Sequence, residues 1–305
     1  MSSSDPIFEA ELYQVGNTRI TRIVDQPLEN NPATRLYPDW QYSAVKPYLD
    51  ALTSHDLTAD HAHFNQSVHC WLVQTTHHTI LIDTGAGNDK RRPDNPIFDR
   101  LDTPFLDNLA RAGVQPEDVD YVLLTHLHVD HVGWNTRWQN GAWVPTFANA
   151  QYVFPTEEYR FYSNPANVQP PSHGSFEDSV QPVLDAGLAK MIEPDGREVV
   201  DGLAFHSSPG HSYAHTSISL VSKGERALFG GDVLHTPVQV YCPDWNSVFC
   251  EFAEPARASR YWALNHAVEH DALYFSTHFA APSAGRITRR GDGYAWQYEE
   301  SGARS

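Results

Sequence analysis

A dense group of histidine and aspartate residues follows a short apolar run in the middle of the chain, and it restricts the possible folds more than any other feature. The run Tyr121–Leu124 predicts a buried strand, and His126, His128, Asp130 and His131 come within the next seven residues. Neutral imidazole nitrogens and carboxylate oxygens are good ligands for zinc and similar divalent ions. Alternate side chains of an extended segment point to one side, which places His126 and His128 together. The pattern predicts a metal centre at a strand end, with Asp130 and His131 turned towards a second ion.

Three further candidate ligands come later in the chain, each after a predicted strand. They are His211 after Leu203–Ser207, Asp232 after Ala227–Phe229 and His278 after Leu273–Ser276. Loops at strand ends commonly carry functional residues. A histidine-rich surface loop is the alternative interpretation of the first group, and these three positions disfavour it.

Taken in this order, these residues resemble the metallo-β-lactamase superfamily. The stretch Leu81–Gly85, which reads LIDTG, matches the first motif of that family, and the resemblance covers residues 65 to 290 approximately. It implies an α+β fold, a four-layer αββα sandwich in which helices cover two packed sheets. It also implies a site for two metal ions along one edge of the sheets.

The ligand positions of the family carry over to seven residues of this sequence. The resemblance implies two ions, the first held by His126, His128 and His211 and the second by Asp130, His131 and His278. Asp232 would bridge the ions, and Asp83 would support the ligands from behind. His215, four residues after His211, is another candidate for such support. Zinc is the expected metal, with manganese, cobalt or iron as alternatives that suit the same ligands.

The reaction implied by this resemblance is metal-assisted hydrolysis. Two ions about 3.5–4 Å apart can share a hydroxide and stabilise the charge that develops on a substrate oxygen. Asp130 is expected to orient the hydroxide and to carry a proton to the leaving group. The best-known zinc β-lactamases have a cysteine where this chain has Asp232, so antibiotic hydrolysis is not the expected main role.

Within the superfamily, the chain is most similar to N-acyl-homoserine lactonases and methyl-parathion-hydrolase-like enzymes. The similarity includes a predicted strand at Thr18–Val24, a long segment before residue 65 and the stretch Gly285–Ile287. The leading prediction is a binuclear hydrolase that opens a lactone or cleaves a small ester. The alternatives are an organophosphate triester hydrolase, an iron-dependent sulfur dioxygenase and a catalytically silent metal-binding scaffold.

His235 departs from the lactonase pattern, because quorum-quenching lactonases often have a tyrosine three residues after the bridging aspartate. A histidine there can donate a hydrogen bond or act as a catalytic acid near neutral pH, or it can be a packing residue. Aromatic residues near the motifs can line an apolar pocket or belong to the core: Trp134, Phe161, Tyr162, Tyr241, Trp245 and Phe249. Such a pocket would fit a small-molecule substrate with an apolar portion.

Composition limits the partners and the location. The 305-residue chain has a net charge of −17, which argues against nucleic acid and anionic membrane surfaces as partners. The three cysteines, Cys70, Cys242 and Cys250, are widely spaced, and residues 1–6 lack the features of a signal peptide. Reduced thiols and a cytoplasmic location are therefore expected.

No linker divides the chain, which predicts a single domain over residues 1–305. Residues 26–66 show little periodicity and are predicted to form an irregular excursion with a short helix near Ala44–Leu52. Such a segment can serve as a lid or as the interface of a homodimer. Other predicted elements are a strand at Cys70–Gln74 and helices at Phe105–Ala112 and Glu254–His270.

Overall fold

Two seven-stranded β-sheets lie face to face in the computed structural model, which describes residues 11–53 and 55–302. The strands are β1 Leu12–Val15, β2 Thr18–Pro32, β3 His63–Gln74, β4 Thr79–Ile82, β5 Tyr121–Leu123, β6 Thr136–Gln139, β7 Ala142–Pro145, β8 Gln151–Pro155, β9 Ala189–Ile192, β10 Asp195–Val200, β11 Leu203–Ser207, β12 Thr216–Ser222, β13 Glu225–Phe229, β14 Leu273–Phe275, β15 Ala284–Arg290 and β16 Gly293–Tyr298. The first sheet has the order β1-β2-β3-β4-β5-β8-β9 and the second runs from β10 to β16 in sequence, while β6 and β7 form a hairpin.

The α-helices of the described residues range from one turn to almost five turns. They are α1 Ala33–Leu36, α2 Tyr42–Val45, α3 Phe105–Arg111, α4 Thr156–Tyr162, α5 Gln181–Asp185, α6 Val238–Tyr241 and α7 Ala253–Glu269. Helices α3 and α7 agree with the predicted helices to within one residue at each end. Among the described helices, none is long and apolar enough to cross a membrane. Residues 1–6, from which the absence of a signal peptide was inferred, lie outside the described part of the chain.

The sheets pack against each other through large apolar side chains. Trp71 and Val153 of the first sheet share one buried cluster with Phe205, Phe229 and Phe275 of the second. The Trp71 and Phe275 rings meet edge to face, with centroids 4.8 Å apart. Because alternate residues of a strand face opposite sides, the other apolar residues of these strands face outward and need cover.

Helices provide that cover on both outer faces. On the first sheet, Leu109 of α3 and Tyr162 of α4 belong to a buried cluster with Leu72 of β3. On the second sheet, Leu264 of α7 belongs to a cluster with Tyr274 of β14. The order of helix, sheet, sheet and helix confirms the predicted αββα sandwich.

The excursion predicted over residues 26–66 is wrong at both ends. Strand β2 continues to Pro32 and β3 already begins at His63, and the two strands pair with register shifts after Val24 and after Leu28. Such bulges break the alternation on which a sequence-based strand prediction depends. Between these strands, the predicted helix near Ala44–Leu52 is a single α-turn, Tyr42–Val45, followed by a six-residue 3₁₀ helix, Lys46–Ala51.

Parallel pairing in the middle of each sheet positions the loops that carry the sequence motifs. Strands β4 and β5 run parallel in the first sheet, and β13 and β14 run parallel in the second. The carboxyl ends of a parallel pair lie at the same edge, so the loops that follow these strands meet there. Each of the four loops begins with a motif that the sequence singled out.

Candidate metal centre

Loops at one edge of the sandwich bring the seven predicted ligand residues together. The loop after β5 carries four of them, and the loops after β11, β13 and β14 carry one each: His126, His128, Asp130 and His131, then His211, Asp232 and His278. Their ligand atoms form groups whose members lie within 4.8 Å of one another. Two of these groups have the same members as the two ligand sets implied by the sequence.

The first of these groups consists of His126, His128 and His211. His128 Nδ1 lies 2.9 Å from His211 Nε2, and the three ring centroids are 4.7–4.8 Å apart. Three imidazole nitrogens that converge on one point suit a zinc ion with an open fourth position.

The second group consists of Asp130, His131 and His278, and Asp232 lies between the two groups. Asp130 Oδ2 is 3.6 Å from His278 Nε2. Asp232 Oδ2 is 3.1 Å from both His211 Nε2 and His278 Nε2, and its Oδ1 is 3.2 Å from His131 Nε2. One carboxylate therefore contacts ring nitrogens of both groups, as a bridging ligand must.

Several buried polar atoms in this cluster lack a hydrogen-bond partner within the described residues. They include His126 Nε2, His131 Nε2 and Asp232 Oδ1. Each buried polar group left without a partner costs about 1–3 kcal/mol. A divalent cation would give these atoms a partner, so the donor set fits a metal centre.

The charges of the cluster also favour a cation. Burial lowers the pKa of His126 and of His211 well below the usual value, which keeps both rings in the neutral form that binds metals. Burial lowers the pKa of His131 too, but the nearby carboxylates, Asp232 above all, raise it well above its usual value. Burial would raise the pKa of Asp232, but His278 and the other rings hold it well below its usual range. The carboxylates that favour a proton on His131 would also favour a metal ion at the same position.

Asp83 lies behind the second group, as the resemblance implied. Its Oδ2 is 2.9 Å from His131 Nδ1, and its Oδ1 accepts a hydrogen bond of 2.8 Å from the backbone N–H of Thr125. The hydroxyl of Thr125 in turn lies 3.0 Å from His126 Nδ1. The Asp83 carboxylate thus contacts a ring of the second group and also the start of the loop that carries His126 and His128 of the first group.

His215 also contacts the centre from behind. Its Nε2 accepts a 2.9 Å hydrogen bond from the backbone N–H of Asp232, and its Nδ1 lies 3.1 Å from the carbonyl oxygen of Ser208. Gly231 has a φ of +54°, and a Cβ there would lie 2.5 Å from His215 Nε2. This contact therefore requires the glycine that precedes Asp232.

Two buried residues that support the centre were missed by the sequence analysis. Glu158 accepts hydrogen bonds from the backbone N–H of Leu127 at 3.2 Å and from the Ser212 hydroxyl at 2.6 Å, and so joins the loops of His126 and His211. His69 Nε2 lies 2.8 Å from the carbonyl oxygen of Ser276, at the start of the loop that carries His278. Neither residue belongs to a motif, and no signal in the sequence distinguishes them from other residues of α4 and β3.

His235 faces the same cluster from the loop after Asp232. Its Nε2 is 3.5 Å from Asp232 Oδ2 and 3.3 Å from the Ser247 hydroxyl, and its ring is parallel to the His278 ring. Burial lowers the pKa of His235, which favours the neutral ring. The side chain also lines the cavity described next, so it is not confined to the core.

A cavity of about 650 Å³ opens above these residues. His128, Asp130, His211, Asp232, His235 and His278 form its polar floor. Apolar side chains from four segments form much of its wall: Leu28, Leu36, Ile97, Phe98, Val248 and Phe249. The arrangement places a reactive polar end beside an apolar volume, as small-molecule sites commonly do.

The aromatic residues proposed for such a pocket lie mostly elsewhere. Of the six, Phe249 lines the cavity, whereas Trp134 stacks on Phe105 in the core. Tyr162 is buried, and its hydroxyl lies 3.5 Å from His128 Nε2. The pocket interpretation is therefore wrong for most of this set, because residues close to a motif in sequence can point into either neighbouring layer.

Known proteins are similar to this chain in sequence. The sequence profile of the Metallo-beta-lactamase superfamily matches residues 65–278. An N-acyl homoserine lactonase of Bacillus cereus is 28% identical over 165 residues, which make up 50% of this chain and 58% of that protein. The chain thus spans less than two thirds of the length of that curated relative.

Solved structures share the fold over nearly the whole chain. AidC, a dizinc quorum-quenching lactonase in complex with a product, superposes with a TM-score of 0.77 at 22% identity, covering 95% of this chain and 97% of AidC. The hydrolase AbOPH of the beta lactamase superfamily superposes with a TM-score of 0.79 at 24% identity, covering 97% and 100%. Because the family profile covers more than half of the chain and includes every residue of the ligand cluster, this chain belongs to the metallo-beta-lactamase superfamily.

Proposed function

We propose that this protein is a metal-dependent hydrolase with a binuclear centre, and that it opens a lactone or cleaves a small ester. The observation that carries the proposal is the position of Asp232, which contacts both ligand groups on the floor of the cavity. The lactonases among the relatives and structural neighbours support the same class of reaction.

Seven residues would hold the metal ions, in the two groups described above with Asp232 between them. Zinc is our preferred assignment, because three imidazoles in one group and a mixed histidine and carboxylate set in the other suit it. Manganese, cobalt and iron remain alternatives for the same ligands. When bound, two such ions supply a hydroxide nucleophile at neutral pH and stabilise charge on the substrate oxygen.

Asp130 is the proposed proton carrier. Its side chain is 16% exposed and lines the cavity, whereas its neighbour His131 is fully buried. A carboxylate at this boundary can hold a proton from the attacking water and release it to the leaving oxygen. Among the candidate ligands that line the cavity, Asp130 is the most exposed carboxylate, at 16% against 4% for Asp232, so we assign this role to Asp130.

His235 is proposed to donate a hydrogen bond to the substrate. His235→Ala is expected to lower turnover roughly 10–100-fold. The lost hydrogen bond would be to the substrate oxygen on which charge develops, and a hydrogen bond to a charged group contributes about 1.5–3 kcal/mol. The metal content should stay unchanged, and His173→Ala, an exposed histidine paired with Asp94, is the matched control. If His235→Ala leaves turnover and substrate affinity unchanged, His235 is a packing residue. If the variant loses metal, His235 is a metal ligand.

The apolar wall of the cavity indicates the substrate class. Leu28, Ile97 and Phe249 offer hydrocarbon surface beside the polar floor, which suits an acyl chain or an aromatic group attached to the reacting ester. Such a substrate is a small molecule, and neither nucleic acid nor a membrane surface is proposed as a partner. A cytoplasmic location and a homodimer remain expectations from the sequence.

The experiment that tests this function measures acid release from lactones of varied chain length with zinc-loaded or manganese-loaded protein. We expect turnover that rises with acyl length until the cavity is filled and that a chelator abolishes. Turnover of phosphotriesters or aryl esters without lactones would favour the organophosphate or esterase alternative. One bound iron and oxygen consumption with a persulfide would overturn the hydrolase proposal in favour of a dioxygenase.

A further inference from the structure

Glu251 is a carboxylate outside the predicted ligand set that contacts one of its members directly. Its Oε1 lies 2.8 Å from His128 Nε2, and the two side chains are only 10% and 12% exposed. The other nitrogen of that ring, His128 Nδ1, faces His211 Nε2 at 2.9 Å. His128 therefore presents one nitrogen to the first ligand group and the other to Glu251.

We propose that Glu251 is a positioning residue that selects which nitrogen of His128 binds the metal. A neutral imidazole carries one N–H, and a carboxylate beside Nε2 holds that hydrogen there. Nδ1 then keeps its lone pair and points at the position that it shares with His126 and His211. This inference rests on the metal centre of the proposed function and adds a residue to it.

The second ligand group offers a parallel within the same structure. His131 has its Nδ1 2.9 Å from Asp83 Oδ2, while its Nε2 faces Asp232. Each group therefore contains one histidine whose outer nitrogen contacts a carboxylate. Such contacts fix the orientation of a metal-binding ring and raise its basicity, and their loss typically lowers metal affinity 10–100-fold.

Backbone hydrogen bonds hold Glu251 next to the loop that carries His211. The N–H of Glu251 donates to the carbonyl oxygen of His211 at 3.0 Å, and the N–H of Phe252 donates to that of Gly210 at 2.8 Å. Gly210 has a φ of +126°, and a Cβ there would lie 2.0 Å from the backbone nitrogen of Ala256. The loop with Glu251 is thus paired with the loop of His211, and its side chain reaches across to His128.

Glu251 also lines the cavity, so it could act on the substrate and not on His128. The experiment must distinguish these two roles. A carboxylate there can touch the substrate and change turnover without any effect on metal binding. Zinc affinity distinguishes the two roles, because positioning acts on the metal before any substrate is present.

The test compares Glu251→Gln and Glu251→Leu in the full chain, with zinc binding measured by competition with a chromophoric chelator. We expect Glu251→Leu to weaken one of two zinc sites roughly 10–100-fold and to leave the other unchanged. Glu251→Gln should weaken the same site less, because its amide oxygen still accepts the N–H of His128. Cobalt-loaded protein should show a changed visible spectrum for that one site. Asp94→Asn removes the same charge from the wall of the cavity and should have no effect on either site.

Other outcomes would overturn the inference. Wild-type zinc affinity in both Glu251 variants, with reduced turnover, would assign Glu251 to the substrate instead. Equal weakening of both sites, or a lower unfolding temperature of the metal-free variants, would indicate a general structural role. Failure of the wild-type protein to bind zinc, manganese, cobalt or iron would remove the metal centre itself. The nearly isosteric Glu251→Gln keeps the comparison valid should the leucine variant fail to fold.

Discussion

Asp232→Ala is expected to lower the proposed hydrolysis roughly 10³-fold, because metal ions stabilise the transition state by several kcal/mol and each 1.36 kcal/mol changes the rate tenfold. Asp232 Oδ2 lies 3.1 Å from ring nitrogens of His211 and His278, so its removal affects both ligand groups together. Elemental analysis of the purified variant should find fewer than two metal ions per chain. Turnover of the lactone that the wild-type protein prefers gives the rate.

The control for this prediction is Asp94→Ala. Asp94 lines the same cavity, but its carboxylate contacts the exposed His173, at 3.1 Å, and no residue of the ligand cluster is among its hydrogen-bond partners in the described structure. We expect this variant to keep its metal and most of its activity. Full hydrolysis by Asp232→Ala with two bound ions would show that the bridging assignment is wrong.

Removal of the metal ions is expected to destabilise the folded protein and to abolish its hydrolytic activity. A ligand present at 1,000 times its dissociation constant stabilises the native state by about 4.1 kcal/mol for each site. The buried atoms without hydrogen-bond partners, such as His126 Nε2 and Asp232 Oδ1, give the physical reason, since a metal ion would complete their coordination. Thermal or denaturant unfolding with and without a chelator measures the difference, and the unfolding temperature should fall by several degrees.

Two comparisons make this result specific. Asp232→Ala should respond much less to the chelator than the wild-type protein does. Zinc added back to the chelated wild-type protein should restore both stability and activity. An unfolding curve that a chelator leaves unchanged would argue against metal ions in the buried groups.

The candidate ligand residues were predictable because each lies in a loop that follows a strand with a clear apolar pattern. Tyr121–Leu123 leads to His126, and Leu273–Phe275 leads to His278. The spacing within the chain then fixes which side chains leave the strand together. The long helix α7 was predictable for a similar reason, since its pattern is long and uninterrupted. Strand β10 was not predicted, because its first four residues, Asp195–Glu198, are exposed and show no apolar alternation.

The residues around the ligands were not predictable in the same way. Glu158 contacts Leu127 from 31 positions away, and Glu251 contacts His128 from 123 positions away. Neither residue has neighbours that mark it as special, and an isolated glutamate is usually a solvated surface residue. Their contacts arise because α4, the helix after β8, and the loop before α7 pack against the edge of the sandwich that carries the candidate ligand residues.

By itself, the sequence determined the superfamily, the αββα architecture and the seven ligand candidates, because these depend on local strand patterns and on residue types at fixed spacing. The tertiary structure decided which side chains line the cavity and which carboxylates contact the candidate ligand histidines. Leu28, Ile97 and Phe249 come from three separate segments and meet only after the two sheets have packed. Contacts of this kind depend on the relative placement of whole layers, and no local pattern records that placement.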